Sequence, residues 1–249
     1  ADQPEDLAHR PVLQQYCREV TIAPLNPRIQ RLRSLPYLAT STPLTLPYFH
    51  SAELHRAVRV ALAQRSYDRI FVYCSAMVQY VDQANEIPMV VDLVDIDSDK
   101  WKQYAGFARF PFSAVYRREG RCLRKYEQEI YSRSACVLVT TVREARLAGE
   151  FAEGTPVHVV PNGVDSDYFS PQSTPQEDQP PVVVFVGDMS YFPNEDAAIY
   201  FANKVLPLIR RSRPDVRFLV AGRNPGRNVQ ALGRIDGVEV TGFVPDVRK

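Results

Sequence analysis

The sequence lacks the two glycine-rich signatures most used to hold phosphates. It has no Gly-x-Gly-x-x-Gly and no Gly-x-x-x-x-Gly-Lys-Ser/Thr. The usual dinucleotide and P-loop readings therefore fall. Glycine as a whole is scarce, at 11 of 249 residues, while proline is frequent at 20. No apolar run exceeds about six residues, against the ~20 that a membrane-spanning helix needs. An excess of one charge is also missing. Lys+Arg is 30 and Asp+Glu is 29, a formal net charge of +1, which argues against a strongly basic nucleic-acid binder. The four cysteines (Cys17, Cys74, Cys122, Cys136) form no Cys-x-x-Cys pair. They are expected to be reduced, as in a cytoplasmic protein. The histidines His9, His50, His55 and His158 are scattered and read as structural, so no metal centre is expected. The chain starts on Ala1 with no signal-peptide pattern, so its start reads as internal to a longer product.

What is present is ordinary globular material: 45% hydrophobic and 24% charged residues. At roughly 100–200 residues per domain, the length allows one large domain or two small ones. Strand-like runs alternate with helical ones. Strands are expected at 70–74, 89–94, 135–140 and 157–160. These continuous β-branched runs suit parallel strands covered on both faces. A helix capped by Ser51 would carry Leu54, Val58, Ala61 and Leu62 on one face. Further helices are expected over 112–134 and 142–151. Residues 166–181 break the pattern, with Pro171, Pro175, Pro180 and Pro181 in a polar stretch that reads as a linker. The alternation restarts with strands at 182–187, 216–222 and 238–242 and helices over 194–211 and 228–233. The boundaries are thus a first domain over 1–165, a linker over 166–181 and a second domain over 182–249. Three strands and two helices make a small core, so the second domain reads as cut short.

Ligands of open α/β sheets sit beyond the carboxyl ends of strands. One such loop runs Gly187-Asp188-Met189-Ser190-Tyr191-Phe192-Pro193-Asn194. Gly187 permits close backbone approach, and Pro193-Asn194 opens a helix whose N–H groups suit a phosphate; an ordinary turn with an Asn cap is the plainer reading. A second loop places Arg223 after Gly222, where it can grip a diphosphate bidentately or lie solvated. A third, Thr241-Gly242-Phe243-Val244, offers backbone groups to a nucleobase edge. Asp95, Asp97 and Asp99 crowd beyond the strand at 89–94. Crowded carboxylates repel, so at least one is expected to have a raised pKa, as suits a general base or hydroxyl binder. A helix cap at Asp97 or Ser98 is the alternative. Trp101, the single tryptophan, reads as core. Phe107, Arg109, Phe110, Phe112 and Tyr116 precede a basic helix with Arg117, Arg118, Arg121, Arg124, Lys125 and Arg133. That helix is either a solvated face or one resting on an anionic membrane.

At Asn162-Gly163-Val164-Asp165 the sequence resembles the family 4 glycosyltransferases of GT-B fold. Three further stretches narrow this: Asp95-x-Asp97-x-x-Lys100-Trp101, Gly187-x-Met189-x-Tyr191-x-Pro193-Asn194 and Gly222-Arg223-Asn224-Pro225. Together they resemble the exosortase-associated (PEP-CTERM system) sugar transferases of bacteria. The resemblance implies an α/β chain with two Rossmann-like doubly wound domains facing a cleft, both truncated here. It implies a retaining transfer, without an obligatory metal or other cofactor, from a nucleotide-diphosphate sugar to a glycan or lipid-linked acceptor in surface polysaccharide synthesis. Gly187, Asp188, Met189, Asn194, Arg223, Gly242, Phe243 and Val244 would hold the donor. Asp95 or Asp97 would serve the acceptor, because the His that many members carry near Val94-Asp95 is missing. The family's first strand would precede Ala1, and its Glu-x7-Glu motif would follow Lys249, so this chain alone is expected to be nearly inactive. The partners implied are the donor, the acceptor and the cytoplasmic face of the inner membrane, with no nucleic acid. Two other functions fit the same pattern: a GT-B-fold nucleotide-sugar epimerase or hydrolase, and a non-catalytic scaffold for polysaccharide assembly.

Overall fold

β-branched runs become parallel strands wherever helices can cross over them, and this chain does so twice. The computed structural model describes residues 4–84, 86–152, 154–170 and 180–248. Two compact units divide at Ala1–Gly163 and Val164–Lys249. The first holds β1 (Ile70–Tyr73), β2 (Met89–Val94), β3 (Cys136–Val139) and β4 (Val157–Val159). They pair in parallel in the order β1-β2-β3-β4. The second holds β5 (Val182–Val186), β6 (Arg217–Ala221) and β7 (Val238–Gly242), also parallel and in chain order. All carboxyl ends within a sheet therefore lie along one edge.

The helices of the first unit are α1 (Arg10–Tyr16), α2 (Pro27–Ser34), α3 (Thr45–Tyr48), α4 (Ala52–Gln64), α5 (Asp97–Phe107), α6 (Phe112–Arg133) and α7 (Val142–Gly149). Asn26, Ser51 and Thr141 cap α2, α4 and α7 with their side chains, as short polar residues do at N-termini. Leu54, Val58, Ala61 and Leu62 share the half-buried face of α4. In the second unit, α8 (Phe192–Tyr200) widens into a π turn at Phe201–Val205 before α9 (Leu206–Ile209). Pro207 lies in the first turn of α9 and brings no N–H to continue the ladder. The last helix is α10 (Arg227–Ala231).

Each unit has its own core. Val72, Met89, Val91, Leu93, Ile130, Val137 and Val139 fill the first. Met189, Ala198, Leu206, Phe218, Val220, Val229 and Val238 fill the second. Coverage of both sheet faces holds at β2 and β3, where no residue is exposed. It fails at the edges. Phe71 and Tyr73 on β1 and Val182, Val184 and Val186 on β5 are exposed, because the described helices wrap the other face there. Most of the expected linker, 171–179, lies outside the described residues, but 166–169 are folded into the second unit. Asp165 Oδ1 accepts from the N–H groups of Asp167 and Tyr168. The Arg248 guanidinium lies 3.8 Å from the centre of the Tyr168 ring.

α5 and α6 lie against one another because Gly120 has no side chain. A Cβ there would stand 3.0 Å from the Ser98 carbonyl oxygen and 3.3 Å from the Lys102 nitrogen. Both obstacles are backbone, so α5 would have to move as a body. Alanine gains up to about 1 kcal/mol of helix propensity over glycine, but overpacking typically costs about 1–3 kcal/mol. Gly120→Ala is therefore expected to lower stability by up to about 2 kcal/mol. Urea denaturation measures this; an equal or higher midpoint would show that the helix pair yields without cost.

Candidate functional site

In the second unit, the backbone ladder runs past the strand ends and ties three loops together. Gly187 N–H donates to Ala221 O at 3.1 Å, Gly222 N–H to Gly242 O at 2.8 Å, and Met189 N–H to Arg223 O at 2.9 Å. Gly222 has φ +154°, and a Cβ on it would fall 1.7 Å from the Gly187 oxygen. No other residue fits there. Asp188 organises the polar groups. Its Oδ1 accepts from the Ser190 N–H at 2.9 Å and hydroxyl at 2.7 Å, and its Oδ2 from Arg223 Nε at 2.7 Å. The Ser190 hydrogen bonds, aided by Arg223, hold the Asp188 carboxyl down to about 2. Asp188 is thus a permanent anion whose charge fixes Arg223. The Nη1 and Nη2 groups of Arg223 make no hydrogen bond among the described residues, and its side chain is exposed.

The other expected donor residues fall out differently. Asn194 does not cap α8; the helix starts two residues earlier, with Tyr191 at the cap position. Asn194 Nδ2 instead donates to the Asp188 carbonyl at 3.0 Å and packs against Gly187. Met189 is fully buried in the core, and its N–H is already taken by Arg223, so it shapes the loop from beneath. Gly242 takes φ +71°, which glycine alone adopts readily. Phe243 is 71% exposed and Val244 half-buried.

In the first unit, the carboxyl edge is marked by strained backbone. Cys74, just after β1, has φ +69°, and Val94, the last residue of β2, has φ +64°. A β-branched residue there is a genuine outlier, and such outliers gather at functional sites. Val94 is held from both sides: its N–H donates to Asp92 Oδ1 at 3.0 Å, and its carbonyl accepts from the Thr140 N–H and hydroxyl. Burial, then the Asp97 carboxylate, raises the Cys74 thiol, so it stays protonated and a poor nucleophile.

The three acids are not crowded into a shared site. Asp97 accepts from the Ser75 hydroxyl and from Lys100 Nζ, each at 2.6 Å. Asp99 accepts from Arg143 and Gln103, each at 2.7 Å. Burial would raise Asp99, but those two donors outweigh it and its pKa is lowered, opposite to the expected rise. Asp95 is exposed, and its carboxylate accepts no hydrogen bond among the described residues. Asp97 opens α5 without capping it. Two glutamates from other helices do that instead. Glu127 on α6 accepts from the Ser98 N–H at 2.9 Å and from the Ser98 hydroxyl. Glu144 on α7 accepts from the Ile96 N–H at 3.0 Å. Neither glutamate stood out in the sequence. The available signal was position: Glu119 and Glu127 fall on the buried stripe of α6 with Leu123 and Ile130, where unpaired acids do not survive.

Residues 180–249 match the family model described as "Glycosyl transferases group 1". That stretch begins just before β5 and contains all three tied loops. No curated protein matches the chain. Among solved structures, it is similar to S. aureus MnaA determined with UDP, at 12% identity and TM-score 0.40, over 98% of this chain and 67% of that one. It is also similar to TarM, at 14% identity and TM-score 0.38, over 69% of this chain and 36% of that one. The chain thus spans about a third of TarM.

Burial pushes Glu127 from its ordinary 4.5 up to about 7, against the opposing Ser98 hydrogen bonds. A carboxyl whose folded pKa is raised contributes stability below pH 4.5 that is lost as pH climbs through about 7. The gap corresponds to about 3 kcal/mol at most. Glu127→Gln keeps both Ser98 contacts and removes the titration. The variant should therefore gain on the wild type as pH rises from 5 to 8 in urea unfolding. Parallel stability curves would show that Glu127 does not titrate in that range.

Proposed function

We propose that this protein is a glycosyltransferase that moves a sugar from a nucleotide-diphosphate donor to a glycan or lipid-linked acceptor. The observation that carries the reading is the family match over 180–249, which falls on the unit whose loops present Arg223. In that unit Arg223 meets the leaving diphosphate through Nη1 and Nη2, while Asp188 holds its Nε. Two parallel hydrogen bonds from a fixed fork suit a diphosphate, and donors aimed at growing negative charge stabilise the transition state. The exposed Phe243 and the backbone beside Gly242 meet the nucleobase.

In the first unit, Asp95 orients the acceptor hydroxyl, because its carboxylate is exposed and uncommitted. Asp97 is a positioning residue, already engaged by Ser75 and Lys100. The bond from the anomeric carbon to the diphosphate breaks as the bond to the acceptor oxygen forms. The acceptor's proton passes to the leaving diphosphate, and attack from the face the diphosphate leaves retains the anomeric configuration. The sequence's resemblance to exosortase-associated transferases favours a reaction in bacterial surface polysaccharide synthesis, in the cytoplasm and against the inner membrane. The proposed contact is peripheral; among the described residues no helix is long and apolar enough to cross a membrane.

The test is thermal unfolding of the full-length protein against a panel of nucleotide-diphosphate sugars. A ligand at about 100 times its Kd adds roughly 2.7 kcal/mol, and one donor should do so. Arg223→Ala should abolish the shift. No shift with any donor, or an unchanged one in the variant, would remove the donor site from these loops. Asp95→Asn should keep the donor shift and lose transfer to acceptor. Wild-type transfer in Asp95→Asn would retire Asp95, and free sugar or an epimer formed without acceptor would replace transfer by hydrolysis or epimerisation.

A further inference from the structure

An apolar cavity of the first unit lies between α2, α3, α5 and α6. It holds about 730 Å3 and is walled by Leu35, Leu38, Tyr48, Phe49, Trp101 and Phe112, a size and lining suited to an apolar ligand. It is a built feature. The acid in its wall, Glu119, is buried and fully satisfied: Leu44 N–H donates to it at 2.7 Å, Thr45 N–H at 2.9 Å and the Thr45 hydroxyl at 2.8 Å, with Arg118 Nη1 at 3.3 Å. Arg118 also donates to the carbonyls of Tyr37, Thr40 and Thr42, which fixes the opposite wall to α6. A buried acid so completely bonded adds no unpaired polarity to that wall.

The surroundings state which ligand. Two of the cavity's lining side chains stand in solvent, Phe112 at 62% and Leu35 at 56% exposed, and Phe110, two residues before Phe112, is 84% exposed. Apart from the buried Glu119, the two segments that contribute its walls carry bases and no acids. Between Glu19 and Glu53 stand Arg28, Arg31 and Arg33; between Asp99 and Glu119 stand Lys100, Lys102, Arg109, Arg117 and Arg118. Lys100 and Arg118 are paired with Asp97 and Glu119. Of the rest, Arg31 lines the cavity, and Arg28, Arg33 and Arg109 are exposed on the same two segments, in a chain whose net charge is only +1. Exposed aromatic and aliphatic groups among arginines, above an apolar hole, match an anionic lipid surface.

We infer that this cavity receives an acyl chain of an anionic phospholipid while Arg28, Arg31, Arg33 and Arg109 meet the headgroups, so that the first unit docks on a bilayer. This deepens the membrane contact proposed above and is independent of sugar transfer. It also gives Trp101 a different part from the core residue its isolation in the sequence suggested. The indole is half-buried, 5.1 Å from the Tyr116 ring, and faces the cavity as a wall residue.

As the only tryptophan in the chain, Trp101 reports the event directly. The full chain is mixed with phosphatidylcholine vesicles, with or without phosphatidylglycerol, whose acyl chains are plain or brominated. Expected are co-sedimentation with the phosphatidylglycerol vesicles and quenching of Trp101 by the brominated chains alone. The double variant Arg31→Glu, Arg33→Glu alters exposed charges and should weaken binding roughly tenfold or more. Leu38→Asp, checked for native circular dichroism, should sediment but lose the quenching. Sedimentation of the wild type without quenching would overturn the cavity as the lipid site. Equal binding to pure phosphatidylcholine would overturn the anionic headgroup. No sedimentation would overturn the whole inference, while a donor-induced thermal shift on the same sample would show that the transferase reading stands without it.

Discussion

Much of the first unit depends on how closely α5 approaches α6. Gly120 admits the Ser98 carbonyl to a distance at which no other residue fits without moving backbone. Glu127 then binds the Ser98 N–H and hydroxyl from the same helix. A burial that would be costly for a lone carboxyl becomes a clamp on a helix N-terminus. Asp95 and Asp97 at the start of α5, and Trp101 one turn later, are placed by that clamp. The strand-end site and the apolar cavity are therefore not separate accidents of packing. They sit at successive positions along one helix whose seat is fixed from below.

The second unit reaches the same end by other means. It has no buried carboxylate among its described core residues. Its loops are fixed by backbone: the sheet ladder continues beyond the strands, and Gly222 lies flat against Gly187. On that base Asp188 sets Ser190 and Arg223. An arginine tied through Nε has lost most of its rotamer freedom before a ligand arrives, which lowers the ordering cost of binding. One unit spends side-chain charge on its framework; the other keeps its charged side chains at the surface of a backbone framework.

The strands were legible because β-branched runs bounded by turn residues leave few alternatives, and all seven fall within a residue or two of their expected bounds. The helix caps divided by mechanism. Ser51 caps its own helix through a local hydrogen bond, which sequence spacing can show. The N-terminus of α5 is served by Glu127 and Glu144, 29 and 48 residues from their partners, and nothing local announces that. The same limit applies to the acids. Repulsion among Asp95, Asp97 and Asp99 was a sound inference from adjacency, but Ser75 and Arg143 come from distant parts of the chain and separate them. Met189 was read as a ligand-facing residue from its place in a motif; its side chain points the motif's apolar requirement into the core. Residues 166–169 looked like linker because their partner, Arg248, lies 80 residues away.

Val94 ends β2 in a left-handed backbone that a β-branched side chain resists, at a cost of order 1–3 kcal/mol. Glycine would relax it. Selection for stability alone thus has a downhill step open at the mouth of the sheet, one nucleotide change from valine to glycine in each of the four codons. Keeping valine there means holding the strand end in one pose at the expense of melting temperature. That residue is a gauge of what the fold is asked to do: a lineage freed from the need to place Asp95 would be expected to drift to glycine first at this position.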